Sequence, residues 1–579
     1  MSASSSSADA GGSLNRMVRP FFRSFEPVHL VWLIVTVAVV GMIAVPSAYL
    51  VYEAFASDRG FTLDAFLSTV GNPRTIAALI NTLIYSTGTT IISIVIAVPL
   101  AILTERTNTS KLTKQVVRVT VIASVITPGF LAAMSYVNLL GPNAGMINLL
   151  IRELLGLDIN RGPLNIFSIV GVLLLGSHGG IAYIYLICAA SLSKMNPEFE
   201  ESAAISGSGK LRIVRTITLP LVRNAVFSGA LVSMLTSLAD YGTPHMVGYT
   251  VLTLRIRELM IYSQFDAAAS ASILLIGLSL LVLALYRFSI RKGDFSTVTG
   301  KSFQPGTFDI GRWLPLATVL LWTYALLAVV LPIAGLAITS LLDRLGDGPR
   351  WGNYTLDHYR TMLAWDSIAV QAFWNSIRLA IGAAVITSLM AIVIGYITVR
   401  RKSVQSTVLD YISIVPLGLA GTALGVAIIS MVLNPPVRSL GLYGTLWVLL
   451  FAYVIRNFPL ALRPVQTTLA QVSPELEHAA RMSGAGWFRT VRTILLPLIM
   501  PGVSVGFVLV FLHALTEISA SIVLRNIGTQ TVSTAIIDIW DGRGGYQGAS
   551  AVAIVLFVLM ISVVALAQAL GGRRIYSAN

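Results

Sequence analysis

Apolar residues run through this chain in long, nearly unbroken blocks, not in the period-2 alternation of half-buried strands or the single stripe of an amphipathic helix. The first block, "HLVWLIVTVAVVGMIAVPSAYLVYEAF", opens at His29 after a polar, Ser-rich tail. Others follow near residues 77–104, 117–139, 166–189, 219–240, 268–286, 313–341, 370–399, 408–433, 443–466, 497–517 and 547–570, the first covering 29–52. About 20 apolar residues cross a bilayer as a helix, and these blocks are too long and unbroken for barrel strands. The pattern predicts an all-α integral membrane protein of twelve transmembrane helices. The first block exceeds a signal-peptide core and has no small-residue cleavage site after it, so it is expected to be a retained helix.

The polar intervals carry a repeat. "ESAAISGSGKLRIVRTITLPL" (Glu201 to Leu221) and "HAARMSGAGWFRTVRTILLPL" (His478 to Leu498) align with Gly207 on Gly484, and from Glu200/Glu477 onward 13 of 22 positions are identical. Each copy follows the fourth span of its half and precedes the fifth, so the halves repeat in the same orientation, related by an axis along the membrane normal. The expected division is a tail at 1–28, a six-helix half at 29–286, a linker at 287–312, a second half at 313–570 and a tail at 571–579. Each copy reads as a short helix, a glycine-marked break and a second helix entering the membrane. Pro197 and Pro474 suit a first helical turn, where Glu198, Glu200, Glu201, Glu475 and Glu477 favour the positive helix end. Gly207 and Gly484 permit a sharp turn or a close backbone approach, with Gly209 and Gly486 two residues on. A plain solvated connector has no reason to keep Ser-Gly-x-Gly, Val-Arg-Thr-Ile and Leu-Pro-Leu in both halves, so a partner is expected to dock there twice.

Composition agrees with the pattern: 55% hydrophobic and 11% charged residues, with a mean hydropathy of +0.79. An even number of spans puts both termini on one side of the membrane. The segments sharing that side hold 25 Lys and Arg against 12 opposite, including all seven lysines, which predicts cytoplasmic termini. The net charge of +14 is then anchoring on anionic lipid; no basic, aromatic groove suggests nucleic acid. A single cysteine, Cys188, lies inside the fourth span and excludes both an intrachain disulfide and a Cys-based metal site.

Glu-x-x-Ala-x-x-Ser-Gly followed about a dozen residues later by Leu-Pro resembles the "EAA" loop of ATP-binding-cassette importer permeases. The resemblance implies the type I importer permease fold and coupling helices seated on two copies of a cytoplasmic ATP-binding subunit, with Glu200, Ala203, Gly207, Gly209, Glu477, Ala480, Gly484 and Gly486 as the coupling residues. Ser202 stands where that family often has Ala, with the Ala pair displaced to 203–204. "NTLIYS" from Asn81, echoed by "NSIRLA" from Asn375, together with "GPNAGMINLL", "SLADYGTPHMVG" and "LTEISASIVL", is most similar to ferric-iron importer permeases. The implied function is a bacterial inner-membrane permease that takes ferric iron from a periplasmic solute-binding protein. Polyamine, thiamine, aminoethylphosphonate and sugar phosphate remain alternative cargoes, and a secondary transporter the alternative class.

No motor is encoded. The one Gly-Lys-Ser, at 300–302, has Phe295 where a phosphate-binding loop needs its first glycine, and "SGSGK" continues with Leu211. No catalytic motif appears, so no enzyme, cofactor or metal centre is expected. Asp240 and Glu517 each stand twenty residues after the proline opening the fifth span, roughly 30 Å along it, which predicts a carboxylate from each half at the periplasmic mouth. Such a pair favours a cationic cargo; an arginine-paired surface acid is the alternative. Of the ionisable groups inside spans, Arg378 and Arg463 lie near membrane edges and can snorkel, while Arg456 and His178 occupy comparable places in the two halves and are candidates for the translocation path.

Overall fold

A computed structural model describes residues 27–57, 60–156, 161–290, 306–401, 403–542 and 544–570. The N-terminal tail to residue 26, linker residues 291–305 and the C-terminal tail at 571–579 lie outside the described residues. Apart from the two-residue strands Ala56–Ser57 and Gly60–Phe61, the regular structure among the described residues is helical.

The first half contains α1 (Pro27–Phe55), α2 (Pro73–Glu105), α3 (Lys111–Ile126), α4 (Gly129–Leu140), α5 (Ile169–Leu192), the short α6 (Glu198–Ile205), α7 (Leu219–Leu238), α8 (Leu252–Ile261) and α9 (Phe265–Ile290). The second half repeats the order, opening with α10 (Gly311–Leu341). It continues with α11 (Ile368–Arg400), α12 (Val404–Gly418), α13 (Gly421–Leu433), α14 (Leu446–Gln471), the short α15 (Glu475–Met482), α16 (Leu496–Leu515), α17 (Val532–Asp541) and α18 (Gly545–Leu570). Polar caps mark the starts: the Asn72 side chain accepts from the Arg74 N–H with Pro73 opening α2, and Ser110, Ser168 and Ser367 cap α3, α5 and α11 in the same way.

Ten of the described helices are long and apolar enough to cross a membrane, and twelve spans result if each of two bent pairs counts as one. The blocks read as rods at 117–139 and 408–433 are those pairs, bent by 102° between α3 and α4 and by 104° between α12 and α13. Pro128 has no N–H to continue α3, and it holds Thr127 in extended backbone, ψ 117°. At the second bend Pro416 lies in the last turn of α12, and Leu419 and Ala420 are extended at ψ 121° and 136°. Hydropathy averaged over a window is blind to such a break.

In each half the second span packs on the fourth and fifth: α2 on α5 and α7, α11 on α14 and α16. The first spans are shared across the halves. α1 lies on its own α9 and on α13 of the other half, and the Leu331–Leu341 part of α10 lies on its own α18 and on α4. Polar bonds fix both crossings. The Tyr49 hydroxyl donates to the Pro435 carbonyl (2.8 Å) and the Tyr136 hydroxyl to the Leu327 carbonyl (2.6 Å). A Cβ on Gly335 would stand 2.4 Å from Ser135 Oγ, so this glycine sets the approach of α10 to α4.

The end of the linker is hydrogen-bonded to the first half. Phe308 N–H donates to the Arg106 carbonyl (3.0 Å), Asn108 Nδ2 to Asp309 Oδ1 (2.5 Å), and Lys210 Nζ to the Asp309 carbonyl.

Candidate coupling loops and central cavity

On one face of the bundle stand α6 and α15, each followed by a turn whose glycine is left-handed: Gly207 at φ +80° and Gly484 at +78°. A Cβ on either would touch nothing within 4 Å. The backbone angle, not crowding, is what demands glycine here. Gly209, by contrast, has an ordinary φ of −65° as it opens the next helix. The repeated Val-Arg-Thr-Ile then winds in both halves as a π-helical segment, Val214–Thr218 and Val491–Leu495, that leads into α7 and α16.

Glu200 and Glu477 do not point outward. The Glu200 carboxylate is buried against the fully buried Arg106 guanidinium and accepts from the Thr218 hydroxyl at 2.5 Å. Glu477 accepts from Arg400 Nε (2.7 Å) and from the Tyr396 hydroxyl (2.9 Å). Each acid thus ties its short helix to the end of the second span. Ala203 is half-buried and Ala480 buried. The outward faces are apolar instead: Ile205 and Met482 are 88% and 89% exposed. Phe199 and Leu476, and Leu211 and Phe488, are exposed as well, and all three pairs keep the spacing of Gly207 and Gly484. In the sequence this signal is a set of large apolar residues on an otherwise polar helix, repeated in register.

Between the halves lies a cavity of about 360 Å³. Both bends reach its wall, through Thr127–Gly129 and Pro416, and so do Asp240, Glu517, Arg456, His513 and Tyr183. The acids lie inside the bundle, not at its rim. Tyr85, which donates its hydroxyl to Asp240 Oδ2 (2.7 Å), is twelve residues into α2, roughly 18 Å from that helix's start. The twenty-residue count takes the apolar block to start at the membrane surface, whereas the helices are longer than a bilayer is thick, α2 running to 33 residues.

Each acid organises the loop that follows it. Asp240 Oδ1 accepts from Thr243 N–H (3.2 Å). Glu517 accepts from the Ala520 and Ser521 N–H groups (2.9 and 3.0 Å) and from the Ser521 hydroxyl (2.7 Å), with Arg456 Nε 3.6 Å away. The echoed asparagines secure the far ends of the same loops. Asn81 Nδ2 donates to the Thr250 carbonyl (2.9 Å), and Asn375 Nδ2 to the Gly528 and Gln530 carbonyls (both 3.0 Å). Their neighbours match: the Thr82 hydroxyl caps Leu252 N–H and the Ser376 hydroxyl caps Val532 N–H, both at 2.8 Å. The two loops meet where Ser519 Oγ donates to the Ala239 carbonyl (3.3 Å).

His178 is not among the cavity's lining residues, and its Nε2 is buried with no partner among the described residues. The matched spacing pairs Arg456 with Gly179, which does line the wall. One residue of offset turns a helical side chain by about 100°, so His178 faces elsewhere. His513, which sequence reasoning passed over, is the histidine on the wall. Arg378 is exposed on α11, Arg463 reaches Asp410 (3.4 Å) and Gln466 (2.8 Å), and Cys188 is buried. Among the described residues no group of three or more His, Cys, Asp or Glu could hold a metal ion.

Two bundles around a shared cavity, with the same glycine-marked loop repeated in each, define a membrane-spanning permease. The chain belongs to the binding-protein-dependent transport system inner membrane component family, which it matches twice, over residues 93–292 and 387–576. It is therefore a multi-pass permease component and not itself an enzyme. Among curated proteins it is similar to the ferric transport system permease protein FbpB of Actinobacillus pleuropneumoniae, 22% identical over 90% of this chain and 75% of the relative. A putative ferric transport permease of Haemophilus influenzae is 24% identical over 79% and 71%. The molybdenum transport permease ModB of Escherichia coli is 40% identical over 19% of this chain and 51% of its own length.

Proposed function

We propose that this chain is the permease of a ferric-iron importer, taking its cargo from a periplasmic binding protein and passing it to the cytoplasm. The observation that carries the cargo is that ferric transport permeases match it along most of the length of both proteins. Two copies of an ATP-binding subunit drive it, one on each coupling loop; the matched apolar pairs Phe199/Leu476, Ile205/Met482 and Leu211/Phe488 support this stoichiometry. Glu200 and Glu477 hold the coupling helices from behind, Ala203 and Ala480 pack beneath them, Gly207 and Gly484 turn the chain, and Gly209 and Gly486 leave room for the partner. Both termini are cytoplasmic, in keeping with the lysine and arginine bias. The central cavity is the translocation path, with Asp240 and Glu517 shaping its loops and Arg456 on its wall.

The test is uptake of radiolabelled ferric iron into liposomes holding this chain and its ATPase, with loaded binding protein outside. Uptake requiring both ATP and the binding protein is expected. Uptake without ATP would select a secondary transporter. Entry of polyamine, thiamine, aminoethylphosphonate or sugar phosphate in place of iron would overturn the cargo alone.

A further inference from the structure

The charged groups on the cavity wall are unequally engaged. Glu517 accepts three hydrogen bonds from its own loop, at 2.9, 3.0 and 2.7 Å. Asp240 accepts the Tyr85 hydroxyl at 2.7 Å and the Thr243 N–H at 3.2 Å. Carboxylates already filled by donors that hold the loops in place offer little to a passing cation, because recruiting them would release the loops.

Arg456 is in the opposite condition. A guanidinium has five N–H donors, yet its nearest acceptors are the Leu419 carbonyl, 3.4 Å from Nη1, and Glu517 Oε1, 3.6 Å from Nε. The first is long for a hydrogen bond and the second is outside that range. Nε is buried with no hydrogen-bond partner among the described residues. Arg456 therefore makes one ion pair, with Glu517, and one long hydrogen bond, and keeps further N–H donors on a residue that lines the cavity.

The neighbouring histidine is fixed in a complementary way. Asn457 Nδ2 donates to the Tyr453 carbonyl (2.8 Å), which leaves Asn457 Oδ1 to accept from His513 Nδ1–H (2.7 Å). In the neutral ring Nε2 is then the lone-pair nitrogen. On the same cavity wall the first half contributes Gly179, where a Cβ would meet only Tyr183 Cε2, at 4.0 Å. The position matching Arg456 is thus a glycine, which leaves space where a second side chain would stand.

We propose that Arg456 is the cargo-binding group of this cavity, and that the transported species reaches it bearing an oxyanion, carried alone or as a ligand of the ferric ion. The planar fork of a guanidinium matches two oxygens of one anion. His513 Nε2 accepts a hydrogen bond from a protonated oxygen of the same group. The inference rests on the importer reading above and assigns the chemical class of what the cavity holds.

The experiment uses the complete transporter in liposomes. Binding protein is loaded with radiolabelled ferric iron in the presence of labelled phosphate, of labelled citrate, or of neither, and labelled molybdate is run in parallel. Uptake is compared for wild type, Arg456→Gln and Arg456→Lys, with ATPase co-purification recorded for each. The expected result is an apparent KM raised about tenfold in Arg456→Gln, the maximal rate changed by no more than about twofold, and partial recovery in Arg456→Lys. Anion label entering with iron identifies the complexed ion. Molybdate entering without iron identifies a bare oxyanion; the ferric reading then falls and this inference stands. Iron entering with neither anion, with an unchanged KM in Arg456→Gln, overturns this inference and leaves the ferric reading intact. Loss of ATPase association in both variants would also overturn it, since Arg456 would then be structural.

Discussion

Gly207→Val and Gly484→Val ask whether the turn after each coupling helix transmits force into the membrane. The two glycines sit at φ +80° and +78°, and a Cβ on either meets no heavy atom within 4 Å. Neighbours therefore contribute nothing to the penalty. What remains is the cost of an L residue in left-handed backbone, about 1–2 kcal/mol and higher for a β-branched side chain. That range shifts the population of the native turn by roughly five- to thirtyfold. Because the turn is exposed and outside the bundle, it can relax locally without unfolding the spans. The expected outcome is normal abundance and retained ATP hydrolysis, with uptake per ATP reduced about five- to thirtyfold. Asparagine enters the left-handed region at lower cost, so Gly207→Asn and Gly484→Asn should stay within about twofold of wild type. Gly209, at φ −65° with open space around it, accepts alanine without strain, so a coupling defect in Gly209→Ala would report close approach of the ATPase. Wild-type coupling in both valine variants would refute the reasoning, and so would asparagine variants as damaged as the valine ones.

Ile205→Asp and Met482→Asp should each weaken, and together abolish, co-purification of the ATPase while leaving membrane abundance unchanged, since both side chains are nearly fully exposed; retained ATPase in the double variant would remove the docking face. Arg400→Ala leaves Glu477 buried without its cation, a loss of about 3–5 kcal/mol, so protein abundance should fall before coupling is measurable. Gly335→Leu forces a side chain onto Ser135 and Leu139, and an overpacking cost of about 1–3 kcal/mol should appear as a lower melting temperature in detergent. Cutting the chain between residues 296 and 297 and co-expressing the pieces should restore uptake, because α1 and α10 each hold the opposite half; independent, non-associating halves would contradict the shared first spans.

The spans and the repeat were legible because each depends on local composition over some twenty residues. The bends were not, since a window average weighs Pro128 and Pro416 like any other residue. Glu200 and Glu477 could be found as repeated acids, but their inward direction depends on Arg106 and Arg400, which are 94 and 77 positions away. Asp240 was visible as an acid in an apolar span, while its partner Tyr85 is 155 positions away. His178 is singled out by matching the halves to within a residue or so, which suffices along a helix and fails around it.

The π-helical segments at Val214–Thr218 and Val491–Leu495 give the two loops a mechanical character of their own. Each holds one residue more than an α-helical turn of similar rise, so the span beyond it stands about 100° further round than an unbroken helix would place it. That added turn fixes which face of α7 and of α16 is presented to the cavity, and it carries through to the loops of Asp240 and Glu517, which begin where those helices end.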